Sequence, residues 1–126
     1  RGWPGQDFAA FLADRATPAY IACDARRRIA GFALIRLAAD EAELLTIVVD
    51  PGWRGRGVGR ALLRAVFADL MLSPARRMFL EVEERNLPAV RLYESEGFAA
   101  VGRRQGYYPR PDGSAAAALV MARDLG

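Results

Sequence analysis

A strand followed by a glycine-rich turn and an amphipathic helix, between residues 42 and 72, constrains this fold more than any other feature. Ala42 to Val49 is rich in β-branched residues, which favours a strand. Asp50 to Trp53 ends that strand, and the turn Arg54-Gly55-Arg56-Gly57-Val58-Gly59-Arg60 follows. From Val58 to about Leu72, apolar residues recur at the spacing of one helical face. This order of elements predicts a domain of α/β type.

The charge of the turn is unusual for a helix start. Pro51 to Ala68 contains no acidic residue, although the partial positive charge of a first helical turn normally attracts Asp or Glu. A bound anion would reverse the sign of that argument, and glycines allow backbone N–H groups to approach phosphate oxygens closely. The segment therefore predicts a phosphate cradle, while a solvated turn or an RNA-contacting loop remains an alternative. Its basic residues are Arg54, Arg56, Arg60 and Arg64.

Composition excludes several kinds of chemistry. All 18 basic residues are arginine, and the chain has no histidine. This excludes histidine catalysis, Schiff-base lysines and the lysine of a Walker A loop. With Cys23 as the single cysteine, we expect no internal disulfide and no metal site. A formal net charge of +3 is too small to indicate direct nucleic-acid binding.

The 126 residues have the size and composition of one globular domain, residues 1–126. No apolar run is long enough for a membrane span, and the first residues lack the apolar stretch of a signal peptide, so we expect a cytoplasmic protein. Close spacing predicts that the first three strands form an antiparallel meander. The predicted helices are Asp7–Arg15, Val58–Leu72 and Asn86–Glu96, the last ended by Gly97; the predicted strands are Tyr20–Cys23, Ile29–Leu37, Ala42–Val49, Met78–Val82, Phe98–Arg104 and Ala118–Arg123.

Four segments carry a resemblance to a known family. Val49 to Leu63 resembles the coenzyme A pyrophosphate loop of the GNAT acetyltransferase superfamily. Leu80 to Asn86 and Leu92 to Phe98 are similar to its later motifs in order and spacing. Arg103 to Pro109 resembles the bacterial ribosomal-protein alanine N-acetyltransferases. The resemblance implies an α/β (α+β) GNAT fold with a mixed, mostly antiparallel sheet and helices on both faces. About 20 residues of the family's start, a strand and a helix, are expected to be missing.

The resemblance also implies a site for acetyl-CoA as cosubstrate, between the strand that ends at Val49 and the strand that carries Glu81. Backbone groups of the first strand would hold the acetyl and pantetheine end, and amides of the turn would bind the pyrophosphate. Asn86 would both cap its helix and bind the pantetheine arm. The implied cofactor-binding residues are Ile47, Val48, Val49, Arg54, Gly55, Arg56, Gly57, Val58, Gly59, Arg60 and Asn86.

The residues suggest how an amine could be acetylated without a metal or a covalent intermediate. An α-amine has a pKa near 8, so a carboxylate suffices as its base, directly or through water. Glu81 and Glu83 share one face of their strand, so either a solvated charge or a base fits the pattern. The resemblance implies Glu81 as the base and Tyr93 as the acid that protonates the departing thiolate. Spacing alone favours a core tyrosine for Tyr93 and a simple helix cap for Asn86.

The acceptor is less constrained than the cofactor. The resemblance implies that Tyr107 and Tyr108 line a peptide groove, although such pairs also serve packing. The family's acidic pair before the last strand is replaced by Ala115–Ala118. The leading hypothesis is acetylation of a protein N-terminus, with a ribosomal protein as acceptor, by a monomer or weak dimer that binds no nucleic acid or membrane. The alternatives are a small-molecule amine acetyltransferase and a non-catalytic CoA-binding module.

Overall fold

The computed structural model describes the backbone of residues 7–12, 17–109 and 115–126, and the side chains of 17–106 and 116–126. Its seven strands form one sheet in the order β1-β2-β3-β4-β5-β7-β6. Only the β4–β5 pair is parallel, which confirms the expected mixed, mostly antiparallel sheet and the meander within it. The strands are β1 Asp7–Leu12, β2 Pro18–Cys23, β3 Ile29–Ala38, β4 Glu41–Val49, β5 Arg77–Glu83, β6 Ala99–Pro109 and β7 Ala115–Asp124.

Two helices cross between these strands, α1 (Val58–Leu70) and α2 (Leu87–Ser95). Both contribute to the same buried cluster, in which Phe67 of α1 and Tyr93 of α2 each contact the ring of Phe98. Asn86 accepts from the Ala89 amide and so caps α2, and Gly97 beyond its end has a φ of 92°, both as the sequence predicts. A helix on the opposite face of the sheet stays a prediction, because the described residues contain only these two α-helices.

The helix predicted over Asp7–Arg15 is wrong. Residues Asp7–Leu12 form β1, which pairs antiparallel with β2 from Asp7↔Cys23 to Leu12↔Pro18. The apolar residues at 8, 11 and 12 fit a helical stripe, but so short a segment is marginal as a helix by itself. Pairing with the free edge of β2 gives its backbone groups partners in the sheet, and that long-range term decides its conformation.

β4 and β5 separate along their length, and this opens a wedge in the sheet. They pair only from Glu41↔Arg77 to Leu44↔Leu80, whereas β5 continues to pair with β7 as far as Glu83↔Ala118. The register of β3 on β4 shifts at the same level, where Ile35 pairs with Leu44 but Leu34 with Thr46. Such a bulge bends the strand that carries the extra residue. Beyond Leu44, β4 therefore leads its backbone away from β5.

Gly31 of β3 allows α1 to lie close to the sheet. A Cβ added at Gly31 would come within 2.6 Å of the Val48 carbonyl oxygen and 3.2 Å of Val58 Cγ1. The first distance is shorter than real Cβ contacts and involves backbone, and the second would require the Val58 side chain to move. The glycine thus lets the start of α1 lie close to β3 and β4, and β4 is one of the two strands that border the wedge.

Tyr20 ties the meander to the other end of α1. Its side chain is buried, and its hydroxyl donates a hydrogen bond of 2.5 Å to Asp69 Oδ2. Burial, followed by the hydrogen bond and the charge of Asp69, raises the pKa of Tyr20. In the unfolded chain a tyrosine ionises near pH 10. Above that pH the unfolded chain loses a proton that the folded Tyr20 keeps. The stabilisation that Tyr20 provides is therefore complete below pH 10, and the free energy of unfolding declines as the pH rises further.

We expect Tyr20→Phe to flatten this alkaline decline. Because the hydrogen bond to Asp69 is lost, the free energy of unfolding of the variant is about 1 kcal/mol lower than that of the parent at pH 8. Between pH 10 and 11 its free energy of unfolding falls less steeply than that of the parent, by up to about 1.4 kcal/mol per pH unit. The absence of lysine keeps this range simple. Urea unfolding at pH 8, 9, 10 and 11 measures both slopes, and equal slopes would contradict the assignment.

Candidate functional site

The glycine turn presents backbone amides to open space. Gly55 and Gly57 adopt left-handed conformations, with φ of 76° and 80°, and a Cβ added at either would have no atom within 4 Å. Gly57 is the N-cap of α1 and offers no side chain to its amides. The first intrahelical bond runs from the Ala61 amide to the Gly57 carbonyl, so the amides of residues 58–60 precede the helical ladder. This is the geometry in which a helix start binds an anion.

Gly59 has a different reason to be glycine. Its added Cβ would lie 3.1 Å from Leu92 Cδ2 on α2 and 3.9 Å from Val49 Cγ2. The residue therefore permits close packing of α1 on α2 rather than access for a ligand. Among the three glycines of the turn, the phosphate argument applies to Gly55 and Gly57.

Two of the four arginines are held by a buried carboxylate. The Glu96 side chain is 4% exposed and accepts hydrogen bonds from Arg60 Nη1 at 2.8 Å and Arg64 Nε at 3.0 Å. The contact raises the pKa of Arg64, chiefly through the hydrogen bond. These guanidiniums thus join α1 to the end of α2. The sequence shows no acidic residue near this helix start. In the fold, Glu96 balances the charges of Arg60 and Arg64, although it lies 36 and 32 positions further along the chain.

Arg56 also has a partner within the protein. Its guanidinium carbon lies 4.7 Å from the centre of the Trp53 ring. Both residues border a shallow cavity of about 420 Å³ together with Arg28 and Asp50. Trp53 also lines a larger cleft between the glycine turn and α2, and it separates the two.

A cleft of about 630 Å³ lies between the glycine turn and the start of α2. Eight of the eleven predicted cofactor-binding residues line it; Ile47, Val48 and Arg56 do not. Trp53, Pro88, Ala89 and Leu92 line it as well and were missed by the sequence analysis. Three of them lie on α2, and the 88/92 spacing of one helical face could have indicated them. The predicted residues that line the cleft are Val49, Arg54, Gly55, Gly57, Val58, Gly59, Arg60 and Asn86.

Glu81 lies on β5 beside the wedge. The alternation of β5 buries Met78, Leu80 and Val82, and it directs Glu81 and Glu83 to the opposite face, as predicted. The Glu81 side chain is 26% exposed, and its Oε1 is 2.9 Å from Arg104 Nη2. The carboxylate is therefore held in place while part of it remains open to solvent.

Tyr93 is buried on α2. It is 6% exposed, and its ring meets that of Phe98 edge-on at a centroid distance of 5.8 Å. Asn86 is exposed at the start of the same helix, where it caps the helix and also lines the cleft. The helix cap that the sequence predicts is confirmed, and the cofactor role that the resemblance implies for Asn86 stays a prediction.

The predicted acceptor residues Tyr107 and Tyr108 belong to β6, and Tyr108 pairs with Ala116 of β7. Their side chains lie outside the described residues. The strand register changes between Arg104 and Tyr108, where Gly106 has a φ of 69°. This bulge separates the tyrosines from the regular part of β6.

Comparison with known proteins decides the family. The profile of the "Acetyltransferase (GNAT) family" matches residues 1–98. The chain belongs to the GNAT family. The family therefore accounts for the parallel β4–α1–β5 unit and the glycine turn at its centre.

Similar proteins include ribosomal-protein alanine N-acetyltransferases. The [Ribosomal protein bS18]-alanine N-acetyltransferase of Haemophilus ducreyi is 38% identical over 94 residues, which are 75% of this GNAT chain and 65% of that protein. The chain thus spans just under two thirds of that curated relative. The crystal structure of the ribosomal-protein-S18-alanine N-acetyltransferase from Escherichia coli superposes with a TM-score of 0.88 and 26% identity, over 96% of this chain and 94% of that one. A nourseothricin acetyltransferase structure matches with a TM-score of 0.80 and 27% identity, over 92% and 69% of the two chains.

The GNAT family uses acetyl-CoA, and the cleft fits its pyrophosphate. The turn offers open glycine backbone and helix-start amides, and Arg54 lines the same cleft. No helix in the described part of this GNAT chain is both long and apolar enough to cross a membrane.

Proposed function

We propose that this chain transfers the acetyl group of acetyl-CoA to the N-terminal α-amine of a protein, and that the acceptor is a ribosomal protein. The observation that carries the proposal is the wedge between β4 and β5. The glycine turn follows the end of β4 on one side of the wedge, and Glu81 lies on β5 on the other side. The activities for which the Haemophilus and Escherichia relatives are named support the choice of acceptor. On this proposal the protein acts in the cytoplasm.

Acetyl-CoA supplies an acetyl thioester. The amides of residues 54–60 bind its pyrophosphate, with the open backbone of Gly55 and Gly57 nearest to the phosphate oxygens. Backbone groups of Ile47, Val48 and Val49, which β5 leaves unpaired in the wedge, hold the pantetheine and acetyl end. Asn86 reaches the pantetheine arm from the start of α2. Arg60 contributes its amide, because its guanidinium is bound to Glu96.

The transfer is a direct attack of the amine on the thioester carbonyl. The C–N bond forms and the C–S bond breaks, the amine gives a proton to Glu81, and the sulfur takes one from Tyr93. Solvent then restores both groups to their starting protonation states. The partly exposed Glu81 suits proton exchange with water. The assignment of Tyr93 rests on the family resemblance and on its place seven residues, or about two turns, along the helical stripe that Asn86 begins.

A panel of short peptides tests the proposal. We expect acetylation of peptides with free Ala, Ser or Met ends, and none of the same peptides with blocked ends. Free amino acids and polyamines are the matched small acceptors. Activity on small amines alone would instead establish a small-molecule acetyltransferase, which the resemblance to nourseothricin acetyltransferase favours. CoA binding without turnover on any acceptor would establish a non-catalytic module.

A further inference from the structure

The base proposed above is in direct contact with an arginine from another strand. Arg104 of β6 places Nη2 at 2.9 Å from Glu81 Oε1. The neighbouring arginine, Arg103, binds a different carboxylate, with Nε 2.7 Å from Glu84 Oε2 and Nη2 2.8 Å from Glu84 Oε1. Two adjacent arginines thus hold two carboxylates, of which one is the candidate base.

The strand register explains how Arg104 reaches Glu81. β7 lies between β5 and β6, with Glu81 opposite Val120, and with Arg104 opposite Ala118. Residues paired in this way share a face of the sheet, so Arg104 crosses β7 on the face that carries Glu81. Ala118, opposite Arg104, has only a methyl group and is completely buried, so no large side chain stands at that position of β7 between Arg104 and β5.

The contact contributes more to geometry than to stability. The Arg104 side chain is 54% exposed, and ion pairs at such sites contribute little to folding because water screens them. Without such a contact, a partly exposed glutamate side chain populates several rotamers and its carboxylate has no fixed orientation. With Oε1 held by Arg104, the remaining lone pairs of the carboxylate stay available to accept a proton.

We propose that Arg104 is a positioning residue that holds Glu81 in the orientation needed to accept the proton of the amine. This inference rests on the proposed function and adds a residue to it. Arg104 acts through Glu81 and does not itself touch the acceptor or the cofactor. Its removal therefore lowers turnover without weakening acetyl-CoA binding, and has no further effect once Glu81 cannot act as a base.

The test compares four variants of the chain with an acceptor peptide that the parent acetylates. We expect Arg104→Gln to lower kcat about 10-fold with an unchanged KM for acetyl-CoA, since loss of orientation affects the chemical step. Arg104→Lys recovers part of this loss because it keeps a charge near Glu81. Arg103→Gln is the matched control, which removes the neighbouring charge and its ion pair and stays within about 2-fold of the parent. The double variant Glu81→Gln/Arg104→Gln is no slower than Glu81→Gln alone.

Each other outcome overturns the inference in a distinguishable way. If Glu81→Gln is slow but Arg104→Gln has the same kcat as Arg103→Gln, Arg104 has no role in the mechanism and the proposed function is unaffected. Losses that add in the double variant, or a raised KM for the peptide, would show that Arg104 acts independently of Glu81. A fall in melting temperature larger than that of Arg103→Gln would identify a structural residue. Parent-like activity of Glu81→Gln would overturn the proposed base, and with it this inference.

Discussion

We expect Glu81→Gln to lower the rate of peptide acetylation about 100-fold at pH 7 and about 10-fold at pH 9. General-base catalysis typically contributes a factor of about 100 or more. At pH 7 only about a tenth of an α-amine with a pKa near 8 is neutral, whereas at pH 9 most of it is. The variant recovers as the pH rises because the acceptor loses its proton to solvent and no longer needs Glu81.

The pH dependence separates a base from a merely structural glutamate. Initial rates from pH 6.5 to 9.5, at saturating acetyl-CoA, give the two profiles. Glu83→Gln is the matched control, because Glu83 lies two residues along the same strand and on the same face. We expect this control to stay within about 3-fold of the parent at every pH. A loss for Glu81→Gln that is equal at all pH values contradicts the role of Glu81 as a base.

Local patterns predict the elements around the site well. α1 begins at Val58, β5 alternates as expected, and α2 starts after Asn86 and ends before a left-handed Gly97. In each case the signal lies within a few residues of the feature that it specifies. The apolar period, the cap and the positive φ are local properties, and a single sequence contains them.

The features that were missed depend on residues far apart in the chain. The sequence near Arg60 and Arg64 does not predict that Glu96 binds both, because that contact forms only after β5 and α2 bring the chain back to α1. The wedge is expected only through the family resemblance, since Glu41–Val49 is one continuous strand and its separation from β5 is a matter of register, which no local pattern predicts. β1 differs from the predicted helix for the same reason, because an available strand edge decides its conformation.

The strand register also changes the interpretation of the alanine run. In sequence, Ala115–Ala118 is a departure from the family's acidic pair at this place. In the fold, Ala118 lies opposite both Glu83 and Arg104. A small residue there permits an arginine of β6 to reach a glutamate of β5. The run is thus part of how the sheet accommodates the candidate base.

The second large effect is on stability, and it follows from the burial of Glu96. The carboxylate is 4% exposed, while Arg60 and Arg64 are 42% and 60% exposed. Removing one partner of a fully buried pair costs about 3 to 5 kcal/mol. Here water can hydrate the two guanidiniums once the pair is broken, so we expect Glu96→Gln to lower the free energy of unfolding by about 2 kcal/mol. For a domain of this size, that corresponds to a melting temperature lower by roughly 8 °C.

Glu94→Gln is the control for this prediction, because Glu94 is an exposed acid at the same end of α2. It should shift the melting temperature by no more than about 2 °C. Thermal unfolding followed by circular dichroism, for both variants and the parent, gives the comparison. Equal shifts would mean that the loss of an acidic charge, rather than the tie between α1 and α2, determines the effect. A larger shift for Glu96→Gln means that this carboxylate adds to the apolar packing of α1 on α2, at a helix whose N-cap Gly57 offers no side-chain partner.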